Sequence, residues 1–202
     1  MWNIKNRMRI RASIVVTAVS LILSGCQTGV PKVPDGPVDT LRPAKTDALA
    51  PGLAVEYSNI IANSISDVKI AGRGTPGPKL PHLNWNHSDT PVMTSQYATE
   101  VAAQINGYML FDTAGTYVLK VKSNDGVRLS LDGVLLINDP TVHASRFAPP
   151  STLVIKEPGH YRLDMLYYQK RGTAALEVYW QPPGATDFVI VPDSAFFHSA
   201  TD

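Results

Sequence analysis

From residue 52 onward, apolar and polar positions alternate in short runs broken by glycine, proline, asparagine and aspartate. Val127, Leu129 and Leu131 alternate with Arg128 and Ser130, and Thr116-Tyr117-Val118-Leu119-Lys120-Val121-Lys122 does the same just upstream. A period of two sends successive side chains to opposite faces, so each run predicts a half-buried strand. Asn124-Asp125-Gly126 and Asp132-Gly133 separate these runs from each other and from the apolar Val134-Leu135-Leu136-Ile137. Glycine takes positive φ at no steric cost, so the two Gly positions predict tight turns and a three-stranded meander at the centre of the fold.

The pattern extends both ways. Alternating or apolar runs predict strands over 52–57 and 83–86, a strand pair over 97–111, and further strands over 152–156, 161–168, 174–180 and 188–191. Val101, Ile105, Tyr108, Leu110 and Phe111 are core candidates, as are Trp85 and Trp180. Residues 59–70 fit neither period, and 72–81 and 140–150 are too rich in Gly, Pro and polar residues to be anything but loops. No stretch of this region shows a long helical period with caps. Many short strands at roughly ten-residue spacing predict an all-β domain, an antiparallel β-sandwich or jelly-roll-like barrel, over 52–202.

The first 51 residues follow different rules. Lys5, Arg7, Arg9 and Arg11 precede an apolar stretch over 12–23, shorter than the roughly 20 residues needed to span a bilayer. Leu23-Ser24-Gly25-Cys26 resembles a bacterial lipobox, which implies a lipoprotein signal peptide over 1–25 and a covalent lipid on Cys26; the alternative is an ordinary signal peptide or signal anchor with an incidental cysteine. Gln27 in the following position points to a lipid-anchored protein of the bacterial outer membrane, periplasmic or surface-exposed. Residues 26–51 contain Pro31, Pro34, Pro37, Pro43 and Pro51 without apolar periodicity, and predict a disordered Pro-rich tether.

Composition sharpens this picture. Cys26 is the only cysteine, so disulfides and cysteine-based zinc sites are excluded and the domain rests on its core. Removing the four basic residues of the signal segment from 18 leaves 14 against 17 acidic ones, a formal charge of about −3. That balance argues against a nucleic-acid partner, which needs a clustered basic surface.

The run Gly107-Tyr108-Met109-Leu110-Phe111, then Ala114-Gly115-Thr116-Tyr117, Ser123-Asn124-Asp125-Gly126-Val127-Arg128-Leu129 and Leu131-Asp132-Gly133 closely resembles the PA14 domain. Pro158-Gly159-His160-Tyr161 and Leu176-Glu177-Val178-Tyr179-Trp180 fit the same order and spacing, so the resemblance covers roughly residues 52–197. This module, named for anthrax protective antigen, also occurs in yeast flocculins and bacterial glycosidases. The resemblance implies a jelly-roll β-sandwich that binds glycan or cell-surface polysaccharide. The alternative is a non-catalytic envelope lipoprotein whose domain contacts an envelope protein partner.

The same resemblance implies a calcium site. Flocculins carry two adjacent aspartates joined by a cis peptide where Asn124 and Asp125 stand here, and an asparagine from a later loop where Gln169 is the counterpart. Calcium takes six to eight oxygens, and replacing one aspartate by Asn124 removes a charge. Lys170 and Arg171 bring positive charge nearby, and a plain hairpin turn at Asn-Asp-Gly remains the alternative. Tyr168, Lys170, Arg171 and Arg146 are the candidate glycan-binding residues, by ring stacking and hydrogen bonding to hydroxyls. His82 and His87 lack a third metal ligand. No Gly-x-Ser-x-Gly, His-Glu-x-x-His or phosphate-cradling loop is present, and no enzyme activity is expected.

Overall fold

Fourteen strands run through residues 32–46, 48–70, 73–88 and 90–201, which the computed structural model describes; the expected signal peptide and Cys26 lie outside the described residues. In chain order they are β1 (Leu49–Pro51), β2 (Ala54–Asn59), β3 (Thr75–Pro76), β4 (Asn84–His87), β5 (Val101–Phe111), β6 (Gly115–Asn124) and β7 (Val127–Leu131). There follow β8 (Val134–Asp139), β9 (Arg146–Phe147), β10 (Ser151–Ile155), β11 (Gly159–Gln169), β12 (Ala174–Gln181), β13 (Val189–Ile190) and β14 (Phe196–Ser199). Two sheets result, both with antiparallel pairings between these strands. One has the order β1-β14-β5-β11-β7-β8, with β2 and then β3 alongside the N-terminal half of β5. The other has the order β10-β6-β12-β13, with β9 and β4 lengthening its edges.

The expected all-β sandwich is therefore present, and its core follows the alternation. Leu119 and Val121 of β6, Leu129 and Leu131 of β7, and Leu163, Met165 and Tyr167 of β11 all turn inward. Phe111 anchors an aromatic cluster, with ring centroids 4.9 Å from Tyr117, 5.4 Å from Tyr161 and 5.7 Å from Trp180. The expected strand pair over 97–111 is a single eleven-residue strand. Its buried side chains include Val101, Ile105, Met109 and Phe111, so Tyr108 and Leu110 stand on the other face and are not core. Gly107 marks the point where the edge partner of β5 changes from β2 to β14. A Cβ there would lie 2.3 Å from Phe197 O, so only glycine allows that backbone approach.

Two expectations about connectivity need correcting. The central meander does not form: β6 and β7 belong to different sheets, and Asn124-Asp125-Gly126 carries the chain between them. Only the second predicted turn is a hairpin, with Asp132 and Gly133 at φ 49° and 78° between β7 and β8. Gly126 does not have positive φ; it is required because a Cβ would meet Tyr168 Cε1 at 2.5 Å and Pro140 O at 2.8 Å.

The second correction concerns the tether. Val38 and Leu41 are buried in the main core, Val38 bridges Leu153 of β10, and Leu49–Pro51 pairs with β14. Asp132 fastens this strap by accepting from the backbone N–H of Arg42 at 3.1 Å and of Arg162 at 3.0 Å. The ordered body thus begins well before residue 52. Two apolar side chains with docking sites and a strand edge to pair with suffice to hold a segment that has no periodicity of its own.

Residues 60–70 form a lid on the outer face of the β5–β11 sheet. Ala62, Ile65, Val68 and Ile70 pack on Ala102 and Tyr168. A single 3-10 turn (Ile65–Asp67) shapes it, with a capping box: Ser64 Oγ accepts from Ser66 N–H, and the Asp67 carboxylate from Ser64 N–H at 3.0 Å.

Candidate functional site

β6 and β11 both end at the same pole of the sandwich, because Asn124 and Gln169 are their last residues and Tyr167 lies opposite Val127. The loops 140–146 and 170–173 converge there on the β6–β7 crossover. The peptide bond between Asn124 and Asp125 is cis.

Asp125 organises this pole. It is 3% exposed, and its carboxylate accepts from two loops: His143 N–H on Oδ1 at 3.0 Å and Lys170 N–H on Oδ2 at 2.7 Å. Its own N–H donates to Tyr168 O at 3.1 Å. Tyr167 donates its hydroxyl proton to Asn124 O at 2.6 Å. Burial, and secondarily the Asp125 charge, push the Tyr167 hydroxyl well above its ordinary pKa, so it remains a donor. A carboxylate with two backbone N–H partners is well compensated for leaving water.

A second carboxylate braces the neighbouring loop. Asp139, buried at the end of β8, receives Nε and Nη2 of Arg146, the former at 2.8 Å. His143 Nε2 also lies 3.2 Å from Asp139 Oδ2, close but outside hydrogen-bond alignment, while its Nδ1 meets Ala144 O at 2.9 Å. The Asp139 contacts hold Arg146 across the loop and raise its pKa.

The structure divides the candidate glycan set. Tyr168 is 1% exposed beneath the lid, so its ring has no face free for a sugar; the expectation that it stacks on ligand is wrong. The cause is the lid, which buries the outer as well as the inner side of β11. Lys170 donates from Nζ to Asn63 Oδ1 at 2.7 Å, and Arg171 reaches toward Glu100 at 3.7 Å with its side chain 76% exposed. Arg171 and Arg146 therefore remain open to solvent at this pole.

The candidate calcium ligands are brought to the same region. The Asn124 side chain makes no hydrogen bond among the described residues. Gln169 is fully buried; its Nε2 donates to Gly172 O at 2.9 Å, and its Oε1 has no hydrogen-bond partner. A buried carbonyl oxygen without a donor suits a cation, and the Lys170 and Arg171 side chains both have partners of their own. Against this, Asp125 supplies the only carboxylate of the three, and both its oxygens already accept N–H groups. Among the described residues no three His, Cys, Asp or Glu side chains converge as a metal cluster. The donor set fits a loosely held cation of hard-oxygen preference.

Sequence reasoning weighed Tyr167 with Tyr168 as a sugar-stacking or core tyrosine, but missed its hydroxyl, Asp139 and the backbone N–H groups as builders of the site. Tyr167 had a signal in its inward parity with Leu163 and Met165, whereas backbone donors leave no trace in side-chain identity. His82 and His87 flank Trp85 with ring centroids 4.6 and 5.8 Å away, the first tilted and the second edge-on, and they join no metal-binding group among the described residues.

Comparison with known proteins adds independent findings. The family model described as PA14 domain matches residues 77–194. No curated protein sequence matches the chain. Among solved structures, the PA14 domain of the MpAFP antifreeze protein superposes with a TM-score of 0.63 at 17% identity, over 78% of this chain and 95% of that one. The PA14 sugar-binding domain from an RTX adhesin gives 0.56 at 17% identity, over 74% and 99%. The Epithelial Adhesin 9 A domain from Candida glabrata, in complex with Galb1-4GlcNAc, gives 0.60 at 10% identity, over 81% and 96%.

Proposed function

The chain belongs to the PA14 domain family, and from that membership we propose that it is a non-catalytic carbohydrate-binding module of the bacterial envelope, anchored by lipid on Cys26. Its ligand would sit at the pole built around Asn124-Asp125. The observation that supports this most directly is the Asp125 clamp, which fixes two separate loops to one crossover. Loops held before the ligand arrives lose little entropy on binding, and such loops at one end of a rigid sandwich are where binding residues belong. Arg171, Arg146 and the Asn124 amide supply hydrogen-bond donors suited to sugar hydroxyls. Two solved neighbours, the RTX adhesin domain and the epithelial adhesin, are described as sugar-binding or as holding a disaccharide, which supports the same class of ligand.

Calcium, held by Asn124, Asp125 and Gln169, would supply a hard Lewis-acidic centre for vicinal hydroxyls. A single carboxylate sets its affinity in the range of extracellular modules, a Kd of about 10⁻⁴ to 10⁻³ M. A glycan array probed with labelled full chain, with and without millimolar calcium, tests the reading. Binding of defined glycans that Arg171→Ser weakens supports it; no binding in either condition overturns it and turns attention to an envelope protein partner. For the anchor, Cys26→Ser is expected to leave an unlipidated precursor in metabolic labelling with a fatty acid, and unchanged labelling would refute lipidation at Cys26.

A further inference from the structure

The outer face of the β10-β6-β12-β13 sheet carries a feature unrelated to the loop pole. Register sets Lys120 opposite Tyr179, and Lys122 opposite both Glu177 and Phe147. Directly opposed side chains in an antiparallel pair share a face. Lys120 Nζ stands 3.9 Å from the ring centroid of Phe188, 4.2 Å from that of Phe147 and 5.5 Å from that of Tyr179. Phe147 and Tyr179 meet edge to face at 5.3 Å. Phe147 is nonetheless 46% exposed, and Val189, next to Phe188, is exposed too.

The two lysines of this face differ in charge balance. Lys122 has Glu177 at 3.3 Å. Glu177 is 5% exposed and also accepts from the Tyr179 hydroxyl at 2.8 Å and from Asn86 Nδ2 at 3.0 Å, so its charge is spent within the face. Lys120 has no carboxylate within ion-pair distance among the described residues; the contacts its Nζ makes there are with the Phe147, Phe188 and Tyr179 rings. An ammonium over ring faces gains from their quadrupoles but keeps its net charge. The surface therefore combines the exposed Phe147 ring and the half-buried Phe188 ring with a cation that has no ion-pair partner among the described residues, which is complementary to a ligand having both an apolar face and a negative group.

We propose that this face is a second binding surface, for an anionic polysaccharide: pyranose C–H faces lie on Phe147 and Phe188, and the acidic group of a sugar pairs with Lys120. The proposal shares the ligand class of the reading above but not its site. Lys120 lies four residues down β6 from Asn124, about 13 Å at strand rise. A chain-like ligand, rather than a single terminal sugar, is what a flat sheet face of this kind accommodates.

The test is calorimetric titration of the full chain, in chelator and at low salt, with three probes: alginate as polyuronate, dextran sulfate as sulfated polymer, and neutral dextran. Variants are Phe147→Ala, Lys120→Gln and Arg171→Ser, each checked for an unchanged melting curve. Either anionic polymer should bind and neutral dextran should not. Phe147→Ala and Lys120→Gln should each weaken that binding about tenfold, the loss of one stacking or charge-assisted contact. Lys120→Gln should also flatten its salt dependence. Arg171→Ser should leave it unchanged. Equal binding of dextran, no binding of either anionic polymer, or wild-type affinity in both face variants overturns the proposal. If Arg171→Ser alone abolishes binding, the loop pole is the site and the sheet face is not.

Discussion

Asp125 serves two loops at once, and that changes how it should be probed. Removing its carboxylate strands the partly buried N–H groups of His143 and Lys170, each costing up to about 1–3 kcal/mol when unsatisfied. Asp125→Ala is therefore expected to lower unfolding stability by about 2–4 kcal/mol in denaturant titration, so any loss of ligand binding in it conflates site and scaffold. Asn124→Ala separates the two. Its side chain has no hydrogen bond among the described residues, so stability should stay within about 0.5 kcal/mol of wild type, while any calcium-dependent rise in Tm should vanish. A Tm rise that persists in Asn124→Ala would remove that residue from the cation site. At this scale the sequence shows which side chains gather but not what satisfies them. Asn124, Asp125 and Gln169 are visible as oxygen donors, yet the partners of Asp125 are main-chain groups. Tyr168 misleads because residues 60–70, which bury it, have no period to announce them.

Strand alternation says that one face is buried but not which sheet a strand joins. This is why β6 and β7 appear as neighbours in a meander: both carry the period-two pattern, and an Asn-Asp-Gly between them suits a turn as well as a crossover. The strap over 38–44 escapes for a different reason, since Val38 and Leu41 are too few to make a pattern. Leu41→Ala offers a direct check. It is buried in the main core, so truncation should cost about 2–5 kcal/mol in a chemical denaturation curve; a cost near zero would mean the strap does not dock. The opening of β11 carries a pH dependence. Burial lowers the pKa of His160, whose ring lies edge to face on Phe197 of β14 at 4.7 Å. The unfolded chain thus binds a proton more readily than the folded one between the lowered value and 6.5. Stability is full above 6.5 and falls as pH drops through that window. Tm measured across this range should slope less in His160→Gln; an identical slope would assign the effect to other groups.

For the whole molecule, the all-β class and sandwich layering were legible because β6, β7, β10 and most of β11 keep the period-two alternation, and family motifs fall in order along the chain. The distribution of surfaces was not. Lys120, Phe147, Tyr179 and Phe188 come from four separate segments, and only the register of β6 with β9 and β12 puts three of them together. The strap has one further consequence if Cys26 carries lipid. With the chain seated on the sandwich from Val38, at most 11 residues (27–37) separate the anchor from the folded body, a leash of no more than about 40 Å. A body on so short a leash samples a thin layer above its bilayer. Its encounters are then confined almost to two dimensions, and polymer lying along that same surface meets it at high local concentration, so even weak individual contacts are sustained by rapid recapture.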